Sequence, residues 1–66
     1  MNMERPNINA MWDYVKELYP DARFSFWYRI GELQFWPNGE AEAEGEDVYG
    51  CIVRDGKFCI MMPEEI

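Results

Sequence analysis

The sequence has no histidine and no threonine, and Ser25 is its only serine. Without an imidazole there is no Ser-His-Asp or Cys-His arrangement and no ordinary base that works near neutral pH. Carboxylates remain, but acid–base work needs a cleft that raises the pKa of one of them, and no segment of the chain implies such a cleft. A protein that is not an enzyme is therefore expected. Cysteine is scarce as well. Cys51 and Cys59, with no imidazole to join them, cannot complete a thiolate–imidazole metal site. The acidic stretch from Glu40 to Asp47 lacks the spacing of a calcium-binding loop. No metal and no cofactor are expected. Long apolar runs are missing too: nothing approaches the roughly 20 residues of a membrane span, and no basic start followed by an apolar run marks a secretion signal. These features imply a cytoplasmic protein whose two thiols stay reduced.

Positive charge is the other shortage. Six basic residues face thirteen acidic ones, giving a formal net charge of −7 and a pI near 4.3. Nucleic-acid binding depends on Lys and Arg neutralising phosphates, so direct binding to nucleic acid is not expected, and an anionic membrane surface is disfavoured for the same reason. The electrostatic complement of such a chain is a basic protein. The plain alternative is that the charge serves solubility.

Aromatic residues, by contrast, are plentiful: 17% of the 66 residues are Phe, Trp or Tyr. A chain of this length forms one domain and buries only about 60% of its unfolded surface. Dense aromatic packing is one way to stabilise so small a core, and self-association is another.

The pattern along the chain implies an α+β fold. Residues 1–6 read as a loose arm. Ile8, Met11, Trp12, Val15, Leu18 and Tyr19 then form one helical stripe, with Asn7 or Asn9 as N-cap and Pro20 as the stop. Asn9, Asp13, Lys16 and Glu17 fall on the wet side. From Arg23 the period changes to two, and residues 23–62 read as an antiparallel meander of four or five strands, followed by a tail at 63–66. The helix covers one face of the meander.

Three turns set the expected registers. Gly31-Glu32 suits a two-residue type II′ turn, which pairs Ile30 with Leu33, Tyr28 with Phe35 and Trp27 with Trp36. Pro37-Asn38-Gly39 suits a three-residue loop, after which residues 40–44 form a strand with Ala41 and Ala43 beneath the helix and Glu40, Glu42 and Glu44 facing outward. Asp55-Gly56 is the clearest hairpin turn; it sets Val53 opposite Phe58, Cys51 opposite Ile60 and Ile52 opposite Cys59. The expected core face carries Tyr28, Ile30, Leu33, Phe35, Tyr49, Cys51, Val53, Phe58 and Ile60.

The other face then holds Trp27, Arg29, Gln34, Trp36 and the glutamates, with Ile52, Cys59 and Met61 further along. Trp and Met are enriched at the centres of protein interfaces, and exposed apolar patches mark interaction sites. The expected partner-binding residues are Trp27, Arg29, Gln34, Trp36, Glu40, Glu42, Glu44, Glu46 and Asp47. Carboxylates on alternate strand residues stand about 6.6–6.8 Å apart, sparser than the charges of duplex DNA; helped by Asp47, such a row suits imitation of a short piece of one backbone but not of a duplex. These features together imply a small acidic inhibitor or adaptor that docks on a basic, nucleic-acid-handling partner. Bacteriophage inhibitors of host defence, including anti-CRISPR proteins, are often chains of this type. The alternatives are a small-molecule or peptide-binding module that uses the aromatic face, and a structural homodimer joined through that face.

Overall fold

The computed structural model describes residues 7–65 of the chain; the expected N-terminal arm lies outside the described residues. The first helix, α1, spans Ile8–Leu18. Asn7 is its cap: its side-chain oxygen accepts hydrogen bonds from the backbone N–H of Asn9 at 2.8 Å and of Ala10 at 3.2 Å, satisfying donors that an uncapped helix would leave open. Asn9 lies inside the first turn. Met11 and Val15 are fully buried. The aromatic residues of α1 reach across the width of a four-stranded sheet. Trp12 meets Phe24 edge-on with ring centres 6.1 Å apart, and Tyr14 lies against Phe58 at 5.4 Å. Tyr19 contacts Phe35 and Tyr49 at 5.5 and 5.6 Å. Such pairs add to burial by about 0.5–1.5 kcal/mol each. Asn9, Asp13, Lys16 and Glu17 are exposed, as the pattern implied.

The sheet is an antiparallel meander in the order β1-β2-β3-β4, with β1 at Arg23–Tyr28, β2 at Glu32–Trp36, β3 at Tyr49–Arg54 and β4 at Lys57–Met61. The β3–β4 hairpin follows the expected register, with Val53 opposite Phe58, Cys51 opposite Ile60 and Ile52 opposite Cys59. Its turn residues, Asp55 and Gly56, both have positive φ, 55° and 74°, as a type I′ turn requires. Leu33, Phe35 and Cys51 are fully buried under α1, with Tyr49, Phe58, Ile60 and Trp27 packed around them.

The β1–β2 hairpin departs from expectation. Tyr28 pairs with Glu32, so the loop is the three residues Arg29, Ile30 and Gly31 rather than Gly31-Glu32. Gly31, at φ 113°, donates its N–H to the Tyr28 carbonyl at 2.8 Å. Three-residue loops that end on a positive-φ glycine are a common hairpin solution. Ile30 consequently sits at the tip of the turn, 88% exposed, and not in the core. The register also shifts between Phe24 and Phe26. This bulge at Ser25 exchanges the faces of the residues that follow. Phe24 pairs with Phe35, Trp27 with Leu33 and Phe26 with Gln34. Trp27 therefore points to the core side, while Phe26 and Tyr28 point away from it. The expected pairing of Trp27 with Trp36 does not form.

Residues 40–44 are not a strand either. Gly39–Ala43 is a short helix, α2. The Asn38 side chain accepts from the Ala41 N–H at 2.8 Å. At the other end Gly45, at φ 68°, donates to the Glu42 carbonyl and Glu46 to that of Ala41, a Schellman closure. Glu40 and Glu42 in the first turn suit the positive end of the helix. Ala41 is buried, but Ala43 is exposed. The sheet thus has four strands, and β2 pairs directly with β3.

Candidate functional site

Strand alternation fixes what the face away from α1 displays. On β1 it carries Phe26 and Tyr28, which are opposite Gln34 and Glu32 of β2. Gln34 donates to a Glu32 carboxylate oxygen at 3.2 Å, locking these two polar side chains along the same strand. On the inner strand β3, Gly50 stands opposite Gln34 and Ile52 follows two residues on; Cys59 and Met61 complete the face on β4. Gly50 has no side chain, so the face is low along its middle. The Phe26 and Tyr28 rings pack edge to face with centres 4.6 Å apart, yet the two residues remain 51% and 41% exposed. The pair is therefore ordered by its own contact and still open to solvent.

Trp36 lies at the other end of β2, opposite Arg23. Its indole N–H donates to the Glu46 carbonyl at 2.8 Å, which ties the segment after α2 to the sheet. Arg23 bonds Glu42 through Nε at 3.0 Å; both partners are partly exposed, and such pairs contribute about 0–1 kcal/mol. Glu40, Glu44, Glu46 and Asp47 are all exposed at this end. Crowding among them shows in Glu46, whose carboxyl is held above its ordinary pKa, first by a hydrogen bond with the Glu44 side chain, then by partial desolvation and by the charges of Glu44 and Glu40.

The residues singled out in the sequence thus separate into groups. Gln34 stands on the open face, with Trp36 at its margin. Glu40, Glu42 and Glu44 surround a helical turn, because successive helix residues rotate by about 100°, so the straight line of carboxylates expected from a strand does not exist. Glu46 and Asp47 occupy the following loop. Arg29 is in the β1–β2 turn, and Trp27 is on the covered face. Alternation places Tyr28, and Phe26 two residues before it, on the same face as the core; the bulge turns both to the open face, and Ser25 alone does not signal a bulge.

No family model, curated protein or solved structure matches this chain. Among the described residues no group of three or more acidic, Cys or His side chains is placed to hold a metal ion, and no helix is long and apolar enough to cross a membrane. A depression of about 400 Å³ lies between Lys16, Asp21, Arg23 and Asn38, and none of the open-face aromatics lines it. The thiols differ sharply: Cys51 is fully buried, and burial, with a smaller contribution from Cys59, pushes it up to about 11. A thiol so raised is almost wholly protonated at neutral pH and is a poor nucleophile.

Proposed function

We propose that this protein is a non-catalytic interaction protein that docks the open face of its sheet, flanked by the acidic α2 segment, onto a basic protein. The observation that carries the reading is the Phe26–Tyr28 pair: two aromatic rings in mutual contact, about half exposed, on the sheet face that α1 does not cover. Aromatic residues already held in place lose little conformational freedom on binding and are frequent interface anchors. Glu32 beside them and the acidic residues around α2 supply charge of one sign, and the net charge of −7 extends that field over the molecule. A cationic surface is its complement.

A nucleic-acid-handling protein or complex is the target we favour, because such proteins carry extended basic surfaces. An inhibitor or adaptor of the kind bacteriophages direct against host defence fits that target. Imitation of a phosphate backbone is not part of the proposal, since it required strand spacing of the glutamates.

The test is capture of partners from the source cell by the wild-type protein and by a folded Phe26→Ser/Tyr28→Ser variant, followed by direct titration of the purified partner. We expect a basic partner, lost with the double variant and released progressively as salt rises. A partner bound equally well by the double variant would contradict the assignment of this face.

A further inference from the structure

The two edges of the sheet are protected unequally. β1 carries the bulge at Ser25, begins at Arg23 and is followed by Arg29 in the loop. Bulges and charged residues are the usual devices that stop an exposed edge from pairing with another strand. β4 has no bulge, and its one charged residue, Lys57, stands at its first position beside the turn. Its register with β3 is regular over five consecutive pairs, and Phe58, Cys59, Ile60, Met61 and Met62 form an uncharged, proline-free run.

The turn determines which backbone groups β4 offers. In a two-residue hairpin the flanking residues, here Arg54 and Lys57, form a hydrogen-bonded pair. Alternation then directs the N–H and C=O of Cys59 toward β3, and those of Phe58 and Ile60 outward. Among the described residues no strand or loop backbone bonds these outward groups.

We propose that β4 pairs with β4 of a second copy, antiparallel about a two-fold axis at Cys59, to form a continuous eight-stranded sheet. This register sets Phe58 opposite Ile60 of the second copy, so that the outward groups of one strand meet those of the other. Cys59 faces its own equivalent at a non-hydrogen-bonded position, where cross-strand side chains approach most closely.

Charge supports a second copy at this place. The net charge of −7 opposes self-association over most of the surface. The β3–β4 turn reverses the field locally, with Arg54 and Lys57 around a single acid, Asp55. Beyond the other end of β4, the 3-10 turn Pro63–Glu65 carries the exposed Glu64. Lys57 and Met61 lie two residues either side of Cys59 on β4, so the two-fold axis sets Lys57 of each copy opposite Met61 of the other and brings the cationic turn alongside the segment that leads to Glu64. A symmetric contact repeats this favourable approach twice. One strand edge buries less than a standard interface, so the dimer forms at high protein concentration. The pairing uses the edge rather than the Phe26–Tyr28 pair, and it stands or falls separately from the partner reading.

Amide hydrogen exchange of the native protein at low micromolar and at millimolar concentration tests this directly. We expect exchange at Phe58 and Ile60 to slow by about tenfold or more at the higher concentration, with β1 unchanged, and the light-scattering mass to climb from 7.9 kDa toward twice that value. The variant Cys59→Lys, which sets two ammonium groups against each other across the axis, should remain at the monomer mass. Exchange at Phe58 and Ile60 that ignores concentration would overturn the proposal. So would a dimer that persists in Cys59→Lys.

Discussion

Phe35 and Phe26 are the same residue type on neighbouring strands, and they have opposite fates. Phe35 is fully buried on the face under α1, between Tyr19 and Tyr49. Phe26 faces the other way and is 51% exposed, with Tyr28 as its ring neighbour. The covered face holds Leu33, Cys51 and Phe35 in a closed packing with the helix; the open face holds an aromatic pair that nothing among the described residues seals. Aromatic content alone therefore says little about the role of a residue. The side of the sheet on which the backbone presents it decides whether it is sealed in the core or left open to solvent.

The comparison can be broken most forcefully at Phe35. A chain of this length has roughly 3–10 kcal/mol of stability to lose, and removing a fully buried Phe costs about 3–5 kcal/mol. Phe35→Ala should leave much of the protein unfolded at room temperature, as followed by far-UV circular dichroism in a urea titration.

The two thiols sharpen the contrast next. Cys51 is buried and its folded pKa is raised from 9.0 to about 11. Stability tied to its protonated form is therefore complete below about pH 9, and it is lost as pH rises through the folded value. At 1.36 kcal/mol per unit the full loss is about 2–3 kcal/mol. Tyr19, raised above 10.0 chiefly by burial, adds to the same alkaline decline. Urea midpoints measured from pH 8 to 11 should fall steeply in the wild type and less in Cys51→Ala. At neutral pH a thiol reagent should modify Cys59 alone until the protein unfolds.

A smaller effect is expected at α2, of which only Ala41 is buried. Asn38→Ala removes its cap and should cost about 0.5–2 kcal/mol. The amide chemical shifts of residues 39–45 should move while those of β3 and β4 stay fixed. A loss spread over the whole sheet would mean that α2 is integral to the core.

How much of this the sequence discloses depends on whether local signals agree. The helix α1 was legible because Asn7, the apolar stripe and Pro20 all indicate the same element. The β3–β4 hairpin was legible because Asp55-Gly56 admits few turn types and the flanking residues alternate without interruption. In FSFWYRI the alternation is equally clean, but the bulge at Ser25 and the three-residue loop ending on Gly31 shift its phase, and a one-residue shift moves every later side chain to the opposite face. NGEAEAEG was ambiguous for another reason. Alternating Ala and Glu suggests period two, yet both are helix formers that strands tend to exclude, and Asn38 and Gly45 close a helix at its two ends. Five residues are too few for periodicity to decide, so the caps prevail. The open-face aromatics follow from the phase shift at Ser25, by which Phe26 and Tyr28 exchange faces with Trp27.

That exchange is the centre of the account, and adjacent residues test it. Trp27→Ala and Phe26→Ala should be compared by equilibrium urea denaturation. If the bulge sets the faces as described, Trp27→Ala removes a side chain packed against the core and should cost about 2–4 kcal/mol, slightly less than a fully buried aromatic. Phe26→Ala should cost about 1 kcal/mol or less, mainly the lost contact with Tyr28. Equal losses, or a larger loss at Phe26, would contradict it.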